Sequence, residues 1–211
     1  QRLRNVFLGM RVPVGVADAL HEIQKDLITY YDSKIIHWVP KDSFYVPLKK
    51  FGPLPEHKIQ EKIDLVSRVL SEQPPAPLLL KLDSLEVSPS WNKPRTLYCS
   101  VRATPKTAIK KFIKTIDTES SSELLYENYE PVADDKLKHM HLPMRCAIGE
   151  WKKIYSPSLK GTAFRQGCLG YSHFASFEAT ELTLMSEFPS FDDNRHAEIE
   201  DIKSFPLLGK E

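Results

Sequence analysis

The chain alternates between stretches of helical and of extended periodicity along its 211 residues. Apolar residues that recur every three or four positions predict three helices, over residues 14–31, 59–70 and 105–116. Apolar runs and alternating patterns predict six strands, over residues 5–10, 35–39, 78–87, 96–101, 177–188 and 197–205. No glycine-rich phosphate loop follows any of these strands. Because each half of the chain offers a strand, a helix and further strands, we predict an α+β architecture with a loose internal duplication, not a doubly wound parallel sheet.

Two short extended segments, F-Y-V-P-L and M-H-L-P-M, share a polar–apolar–proline–apolar pattern although they lie far apart in the chain. Residues i and i+2 of a strand share a face, so Tyr45 and Pro47 point one way, as do His141 and Pro143. Proline removes a hydrogen-bond donor from a strand and is found at edges and bulges. Either both segments are distorted, or their prolines face away from ladder partners.

Two further segments lack a clear period. Residues 117–135 are acidic and rich in serine, which predicts an exposed insertion. Residues 151–173 combine aromatic residues with glycines and are predicted to be irregular. Residues 151–173, together with residues 188–191, form a candidate surface for docking a protein partner.

Composition narrows the functional classes. Hydrophobic residues make up 41% and charged residues 27%, which is ordinary for a globular protein, and no apolar run approaches the roughly 20 residues of a membrane span. The formal net charge of +1 means that any nucleic acid binding must come from a local patch. Three widely spaced cysteines favour a reducing compartment over a disulfide framework. Since the chain begins at Gln1, we expect an upstream segment; a mitochondrial and a cytoplasmic location both stay open.

The order of these elements resembles that of the two-histidine (2H) phosphoesterases, specifically the LigT-like RNA 2′,3′-cyclic phosphodiesterases. The opening RNVFLGMRVPVGVADALHEIQKDL is similar to that family's first strand and helix, and IIHWVPKDSFYVPLKKFGPLPEHKI to its tryptophan-containing strand, first catalytic strand and following loop. The stretch LLLKLDSLEVSPSWNKPRTLYCSVRATP resembles its central hairpin, and FEATELTLMSEF with IKSFPL its last two strands. The resemblance implies one bilobal domain over residues 1–211, in which two antiparallel sheets flank a central cleft and helices lie outside.

The resemblance also implies a site. Each catalytic strand of that family carries His-x-Thr; the histidines act as general base and acid, and the threonine hydroxyls hold the phosphate oxygens. Carried over to this chain, the four positions are Tyr45, Pro47, His141 and Pro143, so only one group is kept. The pKa of a tyrosine side chain is about 10, so tyrosine is a poor base at neutral pH. Proline offers neither a hydroxyl nor an N–H group. Loss of one acid–base partner costs about 10²–10⁴ in rate, so the resemblance implies a pseudoenzyme.

Several basic positions are candidates for contact with RNA phosphates, alongside the surviving histidine. They are His141, Lys49, Lys50, Lys110, Lys111, Lys114 and Arg145. The alternative for the lysines is an ordinary solvated face, and Tyr45 either stacks on a base or simply fills the cleft. His139 shares a face with His141, but the sequence offers no third ligand nearby, so neither a metal site nor a cofactor is predicted.

The leading hypothesis is a catalytically degenerate LigT-like protein that binds RNA or serves as a structural subunit of a larger assembly, such as a ribonucleoprotein. RNA is a candidate partner, and protein partners are expected. A second hypothesis is a residual phosphodiesterase that uses His141 with Tyr45 or with another histidine: His37, His139 or His173. A third is a scaffold that binds only proteins.

Overall fold

A computed structural model describes residues 2–30, 35–121, 142, 144–152, 159–188 and 198–209. These residues form nine strands and four helices. The strands are β1 (Arg4–Arg11), β2 (Ile36–Trp38), β3 (Tyr45–Leu54), β4 (Leu78–Ser90), β5 (Lys93–Thr104), β6 (Met144–Trp151), β7 (Ser172–Ala179), β8 (Glu181–Phe188) and β9 (Glu198–Pro206), and the helices are α1 (Val14–Leu27), α2 (Glu56–Glu72), α3 (Thr107–Ser121) and α4 (Leu159–Leu169). No helix within these ranges is both long and apolar enough to cross a membrane.

The strands form two antiparallel sheets, which confirms the predicted α+β architecture. One sheet has four strands in the order β3-β1-β8-β9, and the other has five in the order β2-β6-β5-β4-β7. Every neighbouring pair that the structure describes runs antiparallel. Strand β3 lies at an edge of the first sheet. An edge strand tolerates proline, and β3 contains two prolines.

Each sheet is covered by two helices on one face. Helix α1 is joined to the five-stranded sheet through Gln24, a residue only 4% exposed, whose amide donates to the carbonyls of Val39 and Ile148 at 2.9 Å each. Helix α2 covers the four-stranded sheet, where the ammonium of Lys62 lies 5.7 Å from the ring centroid of Phe51 in β3. Helices α3 and α4 pack beside α2 and α1 respectively. The helix-free faces of the two sheets are therefore left to form a cleft.

Two predictions about the C-terminal half were wrong. The alternating segment 177–188 is not one strand: β7 and β8 meet at Thr180, and they belong to different sheets. The segment 151–173, predicted to be irregular, contains α4. Phe164 and Cys168 are both buried and stand four residues apart, as on one helix face, but the glycines between and around them hid that period.

The helix boundaries also differ from the sequence pattern. Helix α1 ends at Leu27, whereas the pattern predicts it to residue 31. Helix α3 runs to Ser121 and so enters the predicted insertion 117–135, whose remaining residues lie outside the described ones.

Strand β3 approaches β1 unusually closely at the pair Gly9–Pro47. A Cβ added to Gly9 would lie 2.7 Å from the carbonyl oxygen of Val46 and 3.2 Å from the Cα of Pro47. Both atoms belong to the backbone and cannot rotate away. The register of the β1–β3 pair shifts at this point, between Leu8 and Gly9. Glycine at position 9 therefore allows β3 to lie where its side chains reach the cleft.

We predict that Gly9→Ala destabilises the chain by about 1–3 kcal/mol, because a side chain there must displace the β3 backbone. Gly15→Ala is the matched control: nothing lies within 4 Å of a Cβ at Gly15, which sits in the first turn of α1. That substitution should be neutral or stabilise by up to about 1 kcal/mol. Urea unfolding of both variants measures the difference, and equal effects would contradict the close approach at Gly9.

Candidate ligand-binding cleft

The helix-free faces of the two sheets enclose a cavity of about 380 Å³. Strands β2, β4, β5 and β6 supply one wall, and strands β3, β8 and β9 supply the other. The polar and charged residues along it are His37, Ser43, Tyr45, Lys50, Ser88, Thr96, Tyr98, Arg145, Glu150 and Glu187. Strands β3 and β6 lie side by side in the cleft.

The first proline-containing segment lines this cavity as its alternation predicts. Val46 is fully buried in the core, whereas Tyr45 and Pro47, on the other face of β3, border the cavity. The ring of Tyr45 lies against that of Phe7 in β1, with the centroids 4.7 Å apart and the planes inclined by 30°. The two rings form an aromatic platform on the four-stranded wall.

The second segment lies mostly outside the described residues. His141 and Pro143, like His139, lie outside the described residues. Leu142, between them, is half-buried and packs against the core.

The surroundings of Tyr45 hold its phenol in the neutral form. Burial raises the pKa of Tyr45 well above its ordinary value, and the carboxylates of Glu187 and Glu150 raise it further, with only Arg11 acting in the opposite sense. A phenol of that kind keeps its proton at neutral pH, so it can donate a hydrogen bond but cannot act as a general base.

The structure brings two of the predicted cationic residues to the cavity, Lys50 and Arg145. The guanidinium of Arg145 lies 4.4 Å from the ring centroid of Tyr98, and Tyr98 donates its hydroxyl to Glu86 at 3.0 Å. Within the described part of the chain, neither Lys50 nor Arg145 forms an ion pair. Both cations are therefore available to an anionic ligand.

The other predicted lysines lie elsewhere. Lys49 extends from the opposite face of β3, where its ammonium contacts the carboxylate of Asp117 in α3 at 2.6 Å. Lys110, Lys111 and Lys114 belong to α3 itself, which covers that same outer side of the four-stranded sheet. None of these four residues lines the cavity.

Sequence reasoning missed two carboxylates in the cavity, Glu150 and Glu187. Glu187 follows Thr183 and Met185 on the cleft face of β8, and that alternation is the signal that could have found it. Burial raises the pKa of Glu187, the neighbouring charge of Glu150 raises it further, and Lys50 lowers it. Neither carboxylate has an ion-pair partner among the described residues.

Of the histidines considered as alternative acid–base groups, His37 and His173 lie in different parts of the structure. His37 lines the cavity, directly across from Glu150 in the β2–β6 pair. His173 is exposed at the start of β7, where its Nδ1 lies 2.7 Å from a carboxylate oxygen of Asp83. Among the described residues no group of three or more His, Cys, Asp or Glu is arranged to hold a metal ion.

Comparison with known proteins identifies the fold. No protein-family model matches the chain, and no curated protein sequence matches it. Among solved structures, a Thermus thermophilus protein matches with a TM-score of 0.69 at 16% identity, over 98% of this chain and 100% of that one. A structure described as a phosphoesterase matches with a TM-score of 0.62 at 14% identity, over 99% and 100%.

Escherichia coli LigT is also similar. Its complex with phosphate matches with a TM-score of 0.59 at 15% identity, over 99% of this chain and 100% of that one. Its complex with 3′-AMP matches with a TM-score of 0.57 at 16% identity, over 98% and 99%. At these identities the likeness shows the fold alone: the chain has the LigT-like 2H phosphoesterase fold, as the sequence predicts.

We predict that Tyr45→Phe reduces the alkaline destabilisation of the chain. Because the pKa of Tyr45 is raised, the folded chain keeps this phenol protonated where the unfolded chain ionises it, above about pH 10. The stability is thus complete below that pH and falls as the pH rises through it. Urea unfolding at a series of alkaline pH values measures the fall, and identical pH dependence in both proteins would contradict the assignment.

Proposed function

We propose that this chain is a catalytically degenerate LigT-like protein whose cleft binds RNA without cleaving it. The observation that carries the proposal is that Tyr45 and Pro47 line the cavity on β3, the strand to which the resemblance assigns the family's first His-x-Thr motif. The strand is kept in place, while its acid–base and hydroxyl groups are replaced.

The replaced groups argue against hydrolysis. Opening a cyclic phosphate requires one group to take a proton from water and another to give one to the departing oxygen. The neutral Tyr45 phenol cannot take that proton, and Pro47 has no hydroxyl for a phosphate oxygen. This strand therefore retains neither a general base nor a hydroxyl at position 47 for a phosphate oxygen.

The remaining groups argue for binding. Lys50 and Arg145 offer two cations without ion-pair partners in the described structure, and RNA phosphates are the anions that such residues contact. The ring of Tyr45, packed against the buried ring of Phe7, offers an aromatic surface of the kind on which unpaired bases stack. A cavity of about 380 Å³ has room for part of a single strand.

Membership of a larger assembly, such as a ribonucleoprotein, forms the second half of the proposal. A fold that keeps its cleft but loses its reactive groups is suited to holding an RNA segment in place for other subunits. Copurification of the endogenous partners, with and without ribonuclease treatment, tests this half. Recovery of the chain only as a free monomer would contradict it.

We predict no hydrolysis of 2′,3′-cyclic nucleotides, or of short RNAs that end in a cyclic phosphate, above the uncatalysed background. His141→Ala should leave this result unchanged, since the partner groups at positions 45 and 47 are absent. Chromatography of the products is the measurement. Robust turnover that His141→Ala abolishes would show an active phosphodiesterase and overturn the proposal.

We predict that the cleft cations, and not the lysines of α3, carry RNA affinity. Two phosphate contacts give a slope of about −1.4 in log K against log salt for a single strand, and loss of one contact reduces it by about 0.7. Lys50→Glu and Arg145→Glu should each weaken binding and flatten the slope, while Lys114→Glu, on the exposed side of α3, serves as control. Fluorescence anisotropy with a short labelled RNA measures both quantities. Loss of binding in the control alone would place the RNA on α3.

A further inference from the structure

Among the described residues, the cleft contains charges of both signs that form no ion pair, and this combination restricts its ligand. Lys50 and Arg145 attract phosphate, whereas Glu150 and Glu187 repel it. A ligand that satisfies all four must carry hydrogen-bond donors as well as an anionic group. Uniformly anionic ligands, such as inorganic phosphate, leave the carboxylates unsatisfied.

Arg145 is separated from Glu150 along the cleft, whereas Lys50 lies close enough to Glu187 to lower the pKa of that carboxyl. Arg145 and Glu150 lie on the same strand, β6, five residues apart, which separates their Cα atoms by about 16 Å at the usual rise of a strand. Tyr98 is paired with Ala147 and lies between them. The phosphate-binding end at Arg145 is therefore distinct from the carboxylate end at Glu150.

Glu187 stands beside the aromatic platform. It follows Met185 by two residues on the cleft face of β8, and Met185 is paired with Phe7, the lower ring of the platform. A flat ring stacked on Tyr45 would present its edge to the Glu187 carboxylate. An ionised carboxylate has two oxygens that accept hydrogen bonds and no donor.

We propose that Glu187, with Glu150 beside it, reads the donor-bearing edge of a nucleobase held on the Tyr45–Phe7 platform, and that the cleft therefore prefers guanine to uracil. The inference rests on the proposed RNA binding. Guanine places an N1–H and an N2 amino group side by side, and both can donate to one carboxylate. Uracil has a single N–H between two carbonyl oxygens, which a carboxylate repels. Adenine and cytosine, with one amino group each, fall between the two.

The test compares short uridine RNAs that carry one guanosine, inosine, adenosine or cytidine at the central position. Inosine retains the N1–H of guanine but lacks its amino group, so it isolates the second hydrogen bond. We expect the guanosine RNA to bind about tenfold tighter than the all-uridine RNA, with inosine between them, since a good bidentate contact discriminates by roughly 5- to 150-fold. Anisotropy at one fixed salt concentration is the readout.

Glu187→Gln distinguishes base recognition from simple charge repulsion, because base recognition predicts weaker binding of the guanosine RNA by the variant, whereas charge repulsion predicts tighter binding. If Glu187 accepts from the base, the variant loses the guanosine preference and binds the all-uridine RNA no worse than before. If the carboxylate only repels phosphate, the variant binds every RNA more tightly by the same factor, which overturns the inference. Glu181→Gln, an exposed position on the same strand and away from the cavity, is the matched control and should change nothing.

The outcomes also separate this inference from the proposed function. Salt-sensitive binding that depends on Lys50 and Arg145 but is indifferent to the central base contradicts only the recognition by Glu187. Absence of binding to all five RNAs at low salt contradicts RNA binding itself, and the base preference with it.

Discussion

The close pairing of β3 with β1 is the constraint on which the cleft depends. β3 is an edge strand, so it has one ladder neighbour and accommodates prolines that an interior strand would exclude. The absence of a side chain at Gly9 lets the backbone at Val46 and Pro47 approach within contact distance. That position aims Tyr45 at the cavity while Val46 enters the core. Any residue at these cleft positions would be presented in the same way, whether it was reactive or not.

The chemistry of the cleft follows from this presentation. The phenol of Tyr45 is held neutral by burial and by two carboxylates, so it contributes a surface and a hydrogen bond in place of a proton acceptor. The cations at positions 50 and 145 stand on opposite walls, so a bound strand can contact both sheets. In the proposed function, the residues that attract the ligand are separate from the positions that the resemblance assigns to the reaction, so loss of the reactive groups would leave the binding site in place.

The sequence predicts much of the fold but only part of the site. Periodicity and the resemblance were sufficient for the two sheets, since most strands are bounded by clear breaks. They failed at Thr180, where a single residue passes the chain from one sheet to the other without interrupting the alternation, and at α4, whose glycines mask its apolar face. Lys50 and Arg145, predicted from the sequence to contact RNA phosphates, both line the cavity, whereas Lys49, which was grouped with them, lies on the other face of the strand. Predicting Glu187 as a cavity residue requires knowing which face of β8 meets the cavity, and that depends on the pairing of β8 with strands distant in sequence.

Phosphorus NMR of a short RNA ending in a 2′,3′-cyclic phosphate, mixed with an equimolar amount of the chain, tests the central claim most directly. It reports binding and chemistry in one sample, because a cyclic diester and a ring-opened monoester have distinct resonances. Binding without hydrolysis predicts a cyclic phosphate resonance that shifts or broadens on addition of the chain and then persists unchanged. A monoester resonance that grows with time would contradict the account, as would a cyclic phosphate resonance that the chain leaves unperturbed.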